Sequence, residues 1–395
     1  MIKAFRQQFN AHFNSGSYEE YLKEIDSLYP GSLDFRVAET PIFVPTHFKN
    51  KMLDACNYII EVIGSNEFKE ISNRSIPEKY RLPNESALPE MMVFDFGVCE
   101  GENGELAPQL IEMQGFPSLF AYQMMSEKIT RKYANVPEGF SSYLNGFDEE
   151  SYSRLLKDIV IGDTDPEQVI LMEVLPEQQK TRIDFDCTRQ LLGISIVCIS
   201  AVFAEGNHLY YQKDGRKIPV RKIYNRVIFD DLEQQPIQPG FDIKGTYDVQ
   251  WIPHPNWFYR ISKFTLPFIH HPYVPETYFL NELKLPVNLS DYVLKPLFSF
   301  AGQGVVIDVS PEDLESINDP ENWILQKKVQ YAPVIATPDI AAKAEIRLFF
   351  FKHPEWPQHK AVHNLARLSK GLMIGTRYNH DRTWVGGTIA YFEKQ

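Results

Sequence analysis

The sequence predicts a mixed α/β (α+β) protein in which a small parallel unit accompanies a larger part. Three observations carry this. Residues 165–203 read as strand, helix and strand, and both strands are apolar throughout, as in a parallel sheet covered on both faces. Residues 91–115 read as two strands around a turn-rich "CEGENGEL". From about residue 256 the chain becomes rich in proline and aromatic residues and breaks into short strand-like runs. At 395 residues the length fits two or three domains. The composition shifts divide it into 1–150, 151–255 and 256–395.

Taken in order, residues 1–30 and 48–72 have helical apolar spacing. "MMVFDFGV" (91–98) and "APQLIEMQG" (107–115) form a hairpin. In the middle unit "DPEQVILMEV" is a buried strand after an Asp-Pro turn. "DFDCTRQLLG" is a helix ending near Gly193, and "ISIVCIS" is a second buried strand. "HLYYQKDGRKIPVRKIYNRVIF" is a polar hairpin with a Lys-Asp-Gly turn and a further strand. In the last unit "SKFTLPFI", "DYVLKPLF", "GVVIDV", "WILQKKV" and "AEIRLFFF" read as strands or strand ends, and "GGTIAYF" closes the chain.

Hydrophobic residues make up 44% and charged residues 23%, which is ordinary for a soluble globular protein. The first residues lack a signal-peptide core. The most continuous apolar run, 194–204, falls short of the roughly 20 residues a membrane helix needs. A cytoplasmic protein with no membrane partner is expected. The four cysteines are scattered, so no disulfide framework is expected at this size. His359 and His363 have a metal-compatible spacing but lack the H-E-x-x-H context, and they read as surface histidines beside a Pro-rich turn. Net charge is −12, which disfavours nucleic acid as a partner. The charge is uneven: residues 256–395 hold 15 Lys and Arg against 14 Asp and Glu, so an anion would sit more comfortably there.

"YVLKPLFSFAGQGVVIDV" (292–309) carries the first chemistry. Lys295 ends an apolar run. In the loop Ser299, Ala301, Gly302, Gln303 and Gly304, two glycines let backbone approach a ligand closely, and free N–H groups beside a lysine suit a phosphate chain. The loop is neither a Walker loop nor a dinucleotide fingerprint, and a plain β-turn uses the same residues. "ENWILQKKV" (321–329) is an apolar strand breaking into polar residues, a common way to hold a purine edge. Lys263 lies on a further strand-like run. In the 91–115 hairpin, Asp95 sits on one strand, while Glu112 and Gln114 sit two apart on the other and share a face. Three oxygen-bearing side chains converging there, with phosphate supplying the rest, suit Mg²⁺. An exposed polar hairpin is the alternative.

In order and combination these pieces resemble the ATP-grasp ligases, specifically the circularly permuted branch that contains glutathionylspermidine synthase. "FDF…LIEMQGFPS" looks like the family's metal strand pair, "VLKPLFSFAGQGV" like its K-P and glycine-loop segment, "WILQKKV" like its adenine strand, and "AEIRLFFF" like the following E-x-R strand. The resemblance implies an ATP-grasp architecture with a small pre-ATP-grasp-like parallel domain, and ATP and Mg²⁺ as cofactors. It implies Lys263 and Lys295 on the phosphates, the backbone from Ser299 to Gly304 closing over them, and Gln326 with the Lys327–Val329 backbone on adenine. Asp95, Glu112 and Gln114 would hold Mg²⁺. Arg347 would balance charge at the γ-phosphate or the acyl-phosphate. Apart from the resemblance, "RLSKGLMIGTRYNHDRTWVGG" (367–387) reads as a long polar, Gly-containing loop before the final strand, and Arg367 and Arg377 are second-rank candidates there. The implied reaction joins a small-molecule carboxylate to an amine, through an acyl-phosphate and with release of ADP, on a small peptide, amino acid or polyamine-like substrate.

The sequence departs from the family pattern at three places. Gln114 stands where the family has Asn, Val93 where it has Arg, and Ala301-Gly302-Gln303 where it has Arg-Glu before glycine. These departures keep two further readings open: a nucleotide-binding protein without ligase activity, and a phosphotransferase on the same scaffold. On the substrate side, Lys180, Arg182, Asn225 and Arg226 lie near predicted strand ends of the α/β unit, where ligands often sit.

Overall fold

A computed structural model of the chain describes all residues except 102–103, 284–287, 299–303, 372–373, 375–378, 380 and 395. Its centre is a five-stranded antiparallel sheet. The spatial order is Gly386–Thr388, Lys360–Ser369, Lys343–Phe351, Met91–Glu100 and Leu106–Gln114. Strands from the first and last expected units therefore share one sheet.

The period-2 side-chain pattern explains how this sheet is buried. Met92, Phe94, Phe96 and Val98 project to one face together with Ile346, Leu348 and Phe350. The helix Thr46–Ile63 covers that face with Phe48, Met52, Ala55 and Ile59. Phe94 and Phe350 meet edge to face with ring centroids 5.2 Å apart. The opposite face is divided. At one end Met91, Val93, Phe349 and Phe351 pack under Phe120, Tyr152 and Leu156, from the helices Phe120–Tyr133 and Glu149–Val160. At the other end the face is charged, and the candidate site lies there.

The parallel unit is a four-stranded sheet ordered Gln250–Ile252, Lys222–Asn225, Val169–Glu173 and Ser195–Cys198, with all neighbours parallel. The helix Arg182–Leu192 connects its last two strands and ends at Gly193, whose φ of +73° is the left-handed cap the helix needs. The polar hairpin forms at the expected Asp214-Gly215 turn, where both residues have positive φ. A third, antiparallel sheet has Trp323–Lys327 between Thr277–Phe279 and Tyr292–Pro296.

Several local expectations are corrected. Lys263–Phe268 is a 3₁₀ helix, not a strand, because Ser262 and Thr265 form a capping box and Pro267 removes a ladder donor. "GVVIDV" contributes a single bridge, Val306 to Leu294, and no strand. The two N-terminal helices, Lys3–His12 and Ser15–Leu28, are separated because the Asn14 side chain caps the second through Gly16 N–H. His359 and His363 are buried, not on the surface. They face the carbonyls of Pro89 and Ser142 at 2.7 and 3.2 Å, and burial pushes both down to about 4. Among the described residues no helix is long and apolar enough to cross a membrane.

Phe94 lies at the sealed interface of the sheet and the Thr46–Ile63 helix. Phe94→Ala is expected to cost about 3–5 kcal/mol. Urea unfolding measures it, and a loss below about 1 kcal/mol would contradict the described core.

Candidate active site

The strands Leu106–Gln114, Met91–Glu100 and Lys343–Phe351 set Glu112, Asp95 and Arg347 directly opposite one another. Two residues along, Glu345 lies opposite Arg367 on Lys360–Ser369. Side chains in register across neighbouring strands share a face, so five charged groups crowd one end of the sheet. A bulge at Asp95/Phe96 interrupts the pairing to Leu106–Gln114 at this point, a device that re-aims side chains at a sheet edge.

Asp95 is 1% exposed. Arg347 grips it with two parallel bonds, Nε to Oδ1 at 2.5 Å and Nη2 to Oδ2 at 2.6 Å. Arg367 Nη2 reaches the same Oδ2 at 2.6 Å and Glu345 Oε2 at 2.7 Å. Arg347 Nη1 donates to Ser118 Oγ at 3.0 Å, and Tyr331 donates its hydroxyl proton to Glu345. Burial alone would push the Asp95 carboxyl up, but Arg347 and Arg367 outweigh it and hold it below the usual carboxylate range. Burial prevails at Glu345, whose carboxyl is pushed up although Arg367 opposes the shift.

Beside this network lie the two lysines. Lys263, on the 3₁₀ helix, is 8% exposed. Lys295 ends the strand Tyr292–Pro296 and donates to Gln326 Oε1 at 2.5 Å. Burial lowers both ammonium groups, Lys295 to about 8. Glu112 acts on both in the opposite sense, and Lys263 itself adds to the lowering of Lys295. The acidic hairpin thus folds within electrostatic reach of the lysines. Gln326 is 3% exposed, and its Nε2 is buried without a hydrogen-bond partner, an uncommon state for a native polar group.

Not every expected residue lands here in the expected way. Asp95 was expected among the Mg²⁺ ligands, yet both its oxygens are held by guanidinium groups. Arg347 was expected on a phosphoryl group, yet it is committed to Asp95. Glu112 and Gln114 do share a face and touch, with Gln114 Nε2 donating to Glu112 Oε1 at 3.1 Å. Among the described residues no group of three or more His, Cys, Asp and Glu is arranged to hold a metal ion. The Lys327 side chain is exposed. Its backbone N–H is spent on Glu276 O and that of Lys328 on Asp291 O, leaving Val329 of the expected backbone donors. Gly304 has φ +73°, and a Cβ there would come within 3.0 Å of the Pro296 ring, so this position needs glycine. Ser299, Ala301, Gly302, Gln303 and Arg377 lie outside the described residues.

A cavity of about 470 Å³ opens beside the arginines, with Gln114, Ser118, Arg347 and Arg367 along one wall and Glu173, Lys180 and Arg226 along another. Lys180 and Arg226 are among its lining residues. Arg182 instead donates to the carbonyls of Glu177 and Gly31, and Asn225 caps a turn through Val227 N–H. Ser118, Glu173 and Tyr331 are site residues the sequence did not single out. They come from a loop, a strand end and a linker, and nothing local in the sequence marks them.

No family model matches the sequence, and no curated protein matches it. Among solved structures, the chain is similar to a glutathione synthetase-like effector from Globodera pallida in its apo form. The TM-score is 0.58 at 11% sequence identity, covering 95% of this chain and 96% of that one. At that identity the likeness is one of fold alone: a mixed α/β chain of glutathione synthetase-like kind. It does not extend to the glutathionylspermidine synthase branch that the motifs resemble.

Removing the buried central carboxylate would leave two half-buried guanidinium groups without their shared counter-ion. Asp95→Ala is expected to destabilise the nucleotide-free protein by about 3–5 kcal/mol. Glu112→Ala removes one exchangeable hydrogen bond and should cost no more than about 1.5 kcal/mol. Denaturant unfolding of both variants ranks them, and the reverse order would show that Asp95 is not the structural anchor.

Proposed function

We propose that the protein is an ADP-forming carboxylate–amine ligase built on an ATP-grasp architecture, with ATP and Mg²⁺ as its cofactors. The observation that carries this reading is that Glu112 acts electrostatically on both Lys263 and Lys295, which come from segments far from it in the chain. Lys263 is buried and Lys295 half-buried, so water solvates these cations poorly, and a polyphosphate would add negative charge beside them. The unpartnered Gln326 Nε2 supports a ligand acceptor, such as a purine edge, at the same strand end. A glutathione synthetase-like fold supports ligase chemistry by analogy only.

The fit to Mg²⁺ is narrower than the family pattern implies. Glu112 and the Gln114 amide oxygen are the available protein ligands. That is enough for an ion that keeps several waters and takes other oxygens from phosphate. Asp95 then acts one step back, fixing Arg347 and Arg367 at the wall of the cavity. ATP supplies the phosphoryl group that activates a substrate carboxylate for displacement by an amine, and Mg²⁺ neutralises the charge during transfer. The chain's own contribution is positional and electrostatic: Lys263 and Lys295 hold the anion, and the Asp95-bound arginines form a fixed polar wall of the cavity.

A second reading, a nucleotide-binding protein without turnover, is favoured by one observation. Asp95 is bound up with arginine where the family pattern has a metal ligand. The two readings separate on ADP release with Mg²⁺ATP and paired acids and amines, with hydroxylamine added to trap an activated carboxylate. A trapped hydroxamate supports the ligase. Nucleotide binding without turnover across a broad panel supports the second reading. Phosphorylated product without hydroxamate would point to a phosphotransferase.

Lys295→Ala should weaken ATP binding by about 1.5–3 kcal/mol, the worth of a hydrogen bond to a charged group, read as a lost nucleotide-dependent thermal shift. The pH dependence follows from its lowered ammonium. Below about 8 Lys295 is already protonated and meets the anion at no cost. Above that, binding must first take up a proton, so affinity should fall as pH rises through about 8. Titration calorimetry of wild type and Lys295→Ala between pH 7 and 9.5 tests the sign (the range bracketing the lowered ammonium). A wild-type affinity that rises with pH would exclude Lys295 as the phosphate cation.

A further inference from the structure

The cavity beside the arginines has an unbalanced lining. Arg36, Lys180, Arg226, Arg347 and Arg367 all border it, and Glu173 is the one carboxylate among its described lining residues. Arg347 and Arg367 are neutralised by Asp95 and Glu345, and Arg36 is paired with Glu39. Among the described residues, Lys180 and Arg226 have no carboxylate within ion-pair distance.

Arg226 is 6% exposed. Its Nη1 donates to Pro117 O at 2.6 Å and Ser118 O at 2.9 Å, which fixes the fork. The Phe116 and Phe185 rings lie 5.5 and 5.2 Å from its guanidinium carbon. Its Nε is buried without a partner. Nη2 has no hydrogen bond either and is not sealed off, so it is the donor left for the cavity. A buried cation held this rigidly without a counter-ion is costly unless a ligand supplies one.

Glu173 is the complementary group. It ends the strand Val169–Glu173 and is 7% exposed. Its Oε1 accepts from Val174 N–H at 2.7 Å, while Oε2 has no partner among the described residues. Burial pushes its carboxyl up to about 8, with Arg226 opposing. The two groups feel each other yet form no ion pair. A fixed cation beside a carboxyl that is mostly protonated in the empty cavity, and that an arriving ammonium would ionise, matches a zwitterion better than either ion alone.

We propose that this cavity binds the α-amino-acid end of an anionic substrate, its carboxylate on Arg226 and Lys180 and its ammonium on Glu173, and that it rejects polyamines. The assignment rests on the ligase reading only for what the bound molecule becomes. Binding itself needs neither nucleotide nor turnover. Lys180 and Arg226 against the single carboxyl of Glu173 leave the unpaired part of the lining net positive, which works against a polyamine, whose several ammonium groups find one acidic partner there.

The test uses the full chain without nucleotide and three probes: L-glutamate, glutarate, which lacks the amino group, and spermidine. Wild type should bind glutamate at least ~10-fold more tightly than glutarate, and spermidine not at all, in titration calorimetry. Glu173→Gln keeps the shape and should erase the glutamate preference while leaving glutarate binding in place. Lys180→Gln, at an exposed position, should weaken both acids to the same degree. Arg226→Gln should weaken both by at least ~10-fold, and if it does not fold, Glu173→Gln decides alone. Failure of wild type to bind glutamate, glutarate binding as well as glutamate, spermidine binding more tightly than either, or an unchanged preference in Glu173→Gln would each overturn the assignment. If the probes behave as expected but no acid–amine pair yields ADP, the ligase reading fails while the amino-acid site stands.

Discussion

The grip of Arg347 and Arg367 on Asp95 is the constraint on which the site depends. A buried carboxylate with two half-buried guanidinium groups on a sheet face is expensive in isolation, because water is partly or wholly withdrawn from each. Here the geometry offsets the cost: a bidentate fork from one strand, a second guanidinium from the next, and Glu345 completing the set with Tyr331 as donor. The network fixes the register of three strands, since a slip by one residue would turn every one of these groups to the apolar face. It therefore sets where Glu112 stands, and through Glu112 how the hairpin meets the lysines.

The two faces of the central sheet perform separate tasks. The face under the Thr46–Ile63 helix is continuous hydrocarbon and supplies stability. The other face is hydrocarbon only where Phe120 and Tyr152 cover it, and the rest is given over to charge. A rigid support beneath a polar surface keeps functional groups in place without their own packing having to do so. The cavity lies where this polar half looks toward the parallel sheet, and Glu173 and Arg226 reach it from that sheet's strand ends. That is the usual ligand position in parallel α/β units.

Much of the scaffold was legible in the sequence because it rests on local rules. Continuous apolar runs identified the parallel strands, Gly193 the helix end, and Asp214-Gly215 the hairpin turn. The period of two correctly put Glu112 and Gln114 on one face. What escaped the sequence was decided by partners far away. Asp95 read as a free carboxylate because nothing near it in the chain shows that Arg347 and Arg367 lie across the sheet. Lys263 read as a strand residue because its apolar neighbours outweighed the Ser262–Thr265 cap. His359 and His363 read as surface residues beside prolines, yet they belong to an interior strand and its entry. Glu173 looked like the polar end of an ordinary strand and acquires meaning only from the opposing Arg226.

The pairing of Met91–Glu100 with Lys343–Phe351 joins segments 252 residues apart at Asp95 and Arg347. A strand this apolar, emerging early on the ribosome, must wait for most of the remaining chain before its neighbour exists. During that interval it presents an unpaired edge and the side chains of Phe94 and Phe96 to solvent or to other nascent chains. Closure of so long a loop is slow. Formation of the sheet, more than the finished state, is where this architecture is exposed to wrong pairing.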